Sequence, residues 1–175
     1  MDFDTSVRQA VYQHFASTGQ APSLTQVAVE LGCSEDDVRE AFGRLQAKRV
    51  LLLEPDGETI RMAPPFSGVP TPHTVVVGGQ TYFANCAWDA LGIAAALHQE
   101  AVVHSSCGQS AAPLHLQVGR DGPEPSQWLF HCQVPAPEVK YMVFPSVQPP
   151  MDPERLPETS SSTCQAGLPV SGSQA

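Results

Sequence analysis

The chain has 175 residues, with 18 acidic against nine basic side chains and a formal net charge of −9. This charge argues against general nucleic-acid binding, because neutralising phosphates requires clustered Lys and Arg. Hydrophobic content of 42% suffices for a core, while 17 Pro and 13 Gly imply many turns and little long helix. There is no run of 18 apolar residues, and the N-terminal Met1-Asp2-Phe3-Asp4 is acidic; the expectation is a soluble cytoplasmic protein without a membrane span. Five Cys at positions 33, 86, 107, 132 and 164, with no C-x-x-C pair, make a poor disulfide framework and a poor zinc site, and fit reduced thiols.

In chain order, residues 3–48 read as three short helices. Phe3, Val7, Ala10, Val11 and Phe15 keep a helical stripe before the Ser17-Thr18-Gly19 break. Ser23 reads as the N-cap of a second helix, with Leu24, Val27, Ala28 and Leu31 on one face and a stop at Gly32. Ser34 caps a third, with Glu35, Asp36 and Asp37 in its first turn and Val38, Ala41, Phe42 and Leu45 inward. Val50–Leu53 and Thr59–Met62 around Pro55-Asp56-Gly57 form a hairpin, completing a winged-helix pattern. The third helix would lead into a DNA groove with its acidic end, so its expected role is packing against the C-terminal part of the chain rather than DNA binding.

Four Pro lie between Pro64 and Pro72, which predicts an extended connection, pinned to a surface by Phe66 and Val69. Val75–Val77, Gly78-Gly79 and Gln80–Phe83 predict a hairpin running into a helix that begins near Cys86. Strands are expected over 101–104, 114–118, 128–134 and 141–144, making a small, mostly antiparallel sheet packed on the Cys86 helix. From Gln148 onward Pro, Ser, Gln, Gly and Thr dominate, and residues 148–175 are expected to be a disordered tail. The fold class is therefore α+β: a three-helix winged-helix-like unit over 1–63, a small sheet-and-helix unit over 64–147, and the tail.

Cys86-Ala87-Trp88-Asp89 carries a thiol and a carboxyl three positions apart, on one face of the expected helix. With Asn85 as N-cap, the thiol would sit in the first turn, where the helix dipole favours the thiolate. The pair can serve as a soft-metal ligand beside a proton donor. The same spacing also fits a buried Cys with an acid decorating a helix N-terminus. His104, His115 and His131 lie on candidate strands and would form a zinc site if they converged, but without close pair spacing the expected reading is ordinary partly buried histidines.

Ile60-Arg61-Met62-Ala63-Pro64-Pro65-Phe66-Ser67, Pro70-Thr71-Pro72, the run from Tyr82 to Ile93, and Ser106-Cys107-Gly108 before Leu114–Val118 together resemble the alkylmercury lyase (organomercurial lyase) family. The resemblance spans roughly residues 1–147 and is most specific over 60–118. It implies protonolysis of a carbon–mercury bond to a hydrocarbon and Hg(II). Cys86 would hold the mercury and Asp89 would shuttle the proton, while Tyr82, Phe83 and Trp88 would enclose the organic group. No resident cofactor is implied. The implied partners are organomercury compounds, low-molecular-weight thiols and a mercuric reductase that accepts the Hg(II). Thiolate is the natural ligand for a soft ion, and a carboxylic acid within reach is a suitable general acid.

The sequence departs from the family at the second mercury thiol, which is expected shortly after a Val-Pro-Ala segment. Val134-Pro135-Ala136 is present, but Lys140–Ser146 holds no Cys, and Ser146 falls at the expected position once one deletion is allowed. A hydroxyl is a hard ligand and a weak acid, so weakened catalysis is expected. Cys132 and Cys164 remain as alternative thiols. A non-catalytic mercury- or thiol-responsive binding module, or a winged-helix regulator, is the alternative reading.

Overall fold

The computed structural model describes residues 2–107 and 111–126, together with the backbone of three further strands at 129–132, 146–148 and 164–165. Three helices open the chain: α1 (Phe3–Thr18), α2 (Leu24–Leu31) and α3 (Glu35–Ala47). Their ends are set locally. Ser23 and Ser34 each make a reciprocal capping box, with Gln26 and Asp37 respectively. Gly19 and Gly32 end α1 and α2 in the left-handed conformation, at φ 74° and 65°. Asp4 is buried near the start of α1 and accepts from Arg44 Nε and Lys48 Nζ, each at 2.9 Å, which ties that end of α1 to the C-terminal end of α3.

A small antiparallel sheet follows, in the order β1 (Leu52–Leu53), β2 (Ile60–Ala63), β3 (Phe66–Ser67). The β1–β2 turn is held by Asp56, whose carboxylate accepts from the backbone N–H groups of Glu58 and Thr59 and from the Thr59 hydroxyl. The expected extended connection is more structured than its proline content implies. After the Pro64–Pro65 corner the chain turns back, and β3 pairs with β2 (Met62 opposite Ser67, Ala63 opposite Phe66). Phe66, 2% exposed, stacks on Phe15 with ring centroids 5.2 Å apart and also meets Tyr12 and Tyr82. Such an aromatic cluster explains why the segment is drawn inside.

The main sheet is antiparallel throughout, in the order β5 (Gln80–Phe83), β4 (Thr74–Val77), β6 (Ala101–Ser106), β7 (Pro113–Gly119), β8 (Gly122–Pro123). Gly78 and Gly79 both have positive φ, at 57° and 86°, as a two-residue hairpin turn between β4 and β5 requires. Helix α4 (Ala87–Leu97) connects β5 to β6 and packs on β4 and β6. The period-2 pattern assigns the faces. Val75, Val77, Ala101 and Val103 are buried, as are Ala90, Ile93 and Ala94 of α4, while Val76, Val102 and His104 on the other sheet face are only half-buried.

One hydrophobic core runs from Val7 to Val118 and joins the helices to both sheets. Tyr82 Oη donates to Ala16 O at 2.8 Å, and Tyr12 Oη to Pro64 O at 3.0 Å, so α1 is stitched directly to the sheet-bearing part. Strand β9 (Leu129–Cys132) pairs antiparallel with β10 (Ser146–Gln148) and β11 (Cys164–Gln165). The strand expected over 141–144 lies outside the described residues, as does the expected tail apart from Gln148 and 164–165. Among the described residues, no helix is long and apolar enough to cross a membrane.

Candidate active site

The chain arrives at Cys86 along a tightly held path. Phe66 bridges to Ala84, joining the two sheets at this point. The Thr71 hydroxyl is bonded to Ala84 O at 2.6 Å, and Ala84 N donates to His73 O at 2.9 Å. Asn85 is 3% exposed, and its Nδ2 donates to Pro65 O at 3.3 Å and Phe66 O at 3.2 Å. The sequence expectation for Asn85 is thus corrected. Asn is a favoured N-cap, but here its Nδ2 faces the carbonyls of the β2–β3 corner, its buried Oδ1 accepts no hydrogen bond among the described residues, and Cys86 is the N-cap of α4.

Cys86 caps with its sulfur. Its φ and ψ are extended, and the backbone N–H of Asp89 donates to Sγ at 3.3 Å. Asp89 is therefore the third helical residue, with its carboxyl on the same face as the thiol, as the i, i+3 spacing predicts. Cys86 is 6% exposed and Asp89 is half-buried. Gly92, one turn further along α4, lies against Pro65, where a Cβ would come within 3.2 Å of the proline ring. The absence of a side chain there lets the helix approach the Pro64–Phe66 corner closely.

The electrostatics differ from the expectation of a dipole-stabilised thiolate. Burial, and then the negative charge of Asp89, push the Cys86 thiol up to about 12, outweighing the backbone N–H groups of Asp89 and Trp88. Burial also raises the Asp89 carboxyl, against hydrogen bonds from Cys86 and Asn85 that pull it down. The thiol thus rests protonated, beside a carboxyl whose affinity for a proton is raised by burial.

The three aromatic residues expected around the organic group do not converge. Tyr82 is 5% exposed, with its ring in the core against Phe66 and its hydroxyl on Ala16, so it is a core residue. Phe83 points from the opposite face of β5 and lines a cavity of about 490 Å³ with Gly19–Gln26 and Gly68. Trp88, in the first turn of α4, is 57% exposed. Tyr82 and Phe83 diverge because successive strand residues face opposite ways.

Of the other thiols, Cys107 follows β6 in a turn and is buried, while Cys33 is half-buried after α2. The backbone of Ser146 lies in β10 opposite His131, and Cys164 stands opposite Cys132 in the β11–β9 register; the side chains of these four residues lie outside the described part. His104 and His115 meet across β6–β7. Among the described residues, no three His, Cys, Asp or Glu side chains gather as a metal site.

The fold and this site define an α+β protein that presents a capped, buried thiol and a carboxyl with a raised pKa at one helix N-terminus. Residues 66–144, which include β3 to β9 and α4, match the family model described as alkylmercury lyase. In fold the chain is similar to a solved structure described as the crystal structure of the mercury-bound form of MerB2, with a TM-score of 0.60 and 22% identity, covering 74% of this chain. The chain spans 64% of that structure's length, and at this identity the likeness speaks for the fold. No curated protein sequence matches.

Proposed function

We propose that the chain is an organomercurial lyase, cleaving a carbon–mercury bond by protonolysis. The observation that carries this reading is the Cys86–Asp89 pair: a thiol and a carboxyl fixed together by the Asp89 N–H to Sγ bond, both with raised pKa values. The family match over 66–144 supports it.

An organomercury cation binds the Cys86 sulfur, and the thiol proton moves to the Asp89 carboxylate, which burial makes a ready acceptor. Thiolate coordination increases electron density on the mercury-bound carbon. Asp89, now a carboxylic acid, protonates that carbon as general acid; the carbon–mercury bond breaks, the hydrocarbon leaves, and Hg(II) stays on the Cys86 thiolate. Free thiols then remove the metal by ligand exchange, and a mercuric reductase is the acceptor downstream. Of the three aromatics, Trp88, exposed in the first turn of α4, is the one proposed to cover the organic group. Ser146 takes the position of the second thiol implied by the family resemblance, and a hydroxyl there holds mercury weakly, which slows turnover. The setting is the reducing cytoplasm, where thiols are abundant.

The test is headspace detection of methane from methylmercury in excess thiol. Turnover above a Cys86→Ala control is the expected result; its absence would leave a module that binds Hg(II) stoichiometrically without releasing product, the reading favoured by the missing second Cys.

A further inference from the structure

On the sheet face away from α4, His104 of β6 and His115 of β7 are direct cross-strand partners. Their rings meet edge to face with centroids 4.8 Å apart, and the two Nδ1 atoms are 2.7 Å from each other. His104 is half-buried and His115 exposed, so the pair is rigidly based yet reachable from solvent. It is remote in role from Cys86 and Asp89, which belong to the helix on the other face.

We propose that His104 and His115 form a two-imidazole site for a divalent transition-metal cation that accepts ligands at right angles, Ni(II) or Cu(II). Imidazole suits these borderline ions. With metal–nitrogen bonds of about 2.0–2.1 Å, two ligand nitrogens lie about 4.1 Å apart when linear, about 3.4 Å when tetrahedral and about 2.9 Å when at right angles. The observed 2.7 Å is a hydrogen bond, shorter than all three separations and nearest the last, so binding also turns both rings until their Nδ1 lone pairs meet at a shared point. In the metal-free pair, one Nδ1–H donates to the other Nδ1. Binding requires the donor ring to move its proton to Nε2, freeing both Nδ1 lone pairs, and the nitrogens to part by a few tenths of an ångström. Water completes the coordination. Because the strand ladder already holds the two residues opposite each other, little ordering is needed on binding.

The experiment is calorimetric titration of the full chain with nickel chloride in thiol-free buffer, for the wild type, His104→Gln, His115→Gln and Cys86→Ser. The expected result is one nickel per chain, binding weakened at least tenfold by either His substitution and unchanged by Cys86→Ser, with far-UV circular dichroism the same in all four. Nickel binding that survives both His substitutions, or that is lost with Cys86→Ser together with a sulfur-to-nickel absorption band, would overturn the assignment, as would no binding at millimolar nickel.

Discussion

The backbone N–H of Asp89 donates to the sulfur of Cys86 across 3.3 Å, so the residue that supplies the carboxyl also fixes the position of the thiol. The thiol in turn caps the helix carrying that carboxyl. Structure and chemistry are coupled in a single turn of α4, and substitutions there should separate the two.

Cys86→Ser keeps a capping atom, because Ser is among the preferred N-cap residues. Its thermal midpoint should match or slightly exceed that of the wild type, whereas Cys86→Ala should lose about 0.5–1 kcal/mol with the cap. Carbon–mercury cleavage should fall by about a thousandfold or more in both, since neither offers a soft ligand. Circular-dichroism melts beside a hydrocarbon-release assay check the pairing; a serine variant that melts well below the alanine one would refute the capping role.

Asp89 gives a pH dependence of defined sign. Burial raises its folded-state pKa, so folding favours the protonated carboxyl. That contribution is fully present below the unfolded carboxylate's pKa, about 3.9, and is lost as pH rises through the raised folded value. Asp89→Asn abolishes this loss. The variant's melting temperature should therefore gain on the wild type between about pH 4 and pH 7, by a few degrees at most given the partial exposure of the group. A gap that stays constant or shrinks as pH rises would contradict the burial account.

Asn85 joins the site to the β2–β3 corner through Pro65 O and Phe66 O. Asn85→Ala leaves those two carbonyls without the amide donor and should cost about 1–3 kcal/mol in denaturant unfolding. Hydrocarbon release should also fall, because the entry to α4 loses its anchor.

Tyr82→Phe separates core from pocket. Loss of the hydroxyl bond to Ala16 O should cost about 0.5–1.5 kcal/mol and leave cleavage rates within about twofold. A large rate change at unchanged stability would return Tyr82 to the substrate site.

These cases also mark what the sequence made legible. The helix boundaries were readable because their signals are local: Ser23 with Gln26, Ser34 with Asp37, and Gly19 and Gly32 as stops. The shared face of Cys86 and Asp89 followed from helical spacing alone. Asn85 was misread as the cap because its true partners, Pro65 and Phe66, are about twenty residues away and reach it only through the bridge between Phe66 and Ala84. The thiol's ionisation was misjudged for a related reason: the dipole can be read from the helix, but burial depends on packing from elsewhere in the chain. Tyr82 and Phe83 look like one wall in the sequence, and the strand pleat sets them on opposite faces of β5.

The central claim is that Asp89 delivers the proton to carbon while Cys86 holds the metal. It is tested most directly by single-turnover reaction of methylmercury with Asp89→Asn, measuring bound mercury and released methane together. The expected result is one mercury retained per Cys86 with methane release slowed by about a hundredfold or more, the scale of a lost general acid. Methane released at the wild-type rate from this variant would contradict the account.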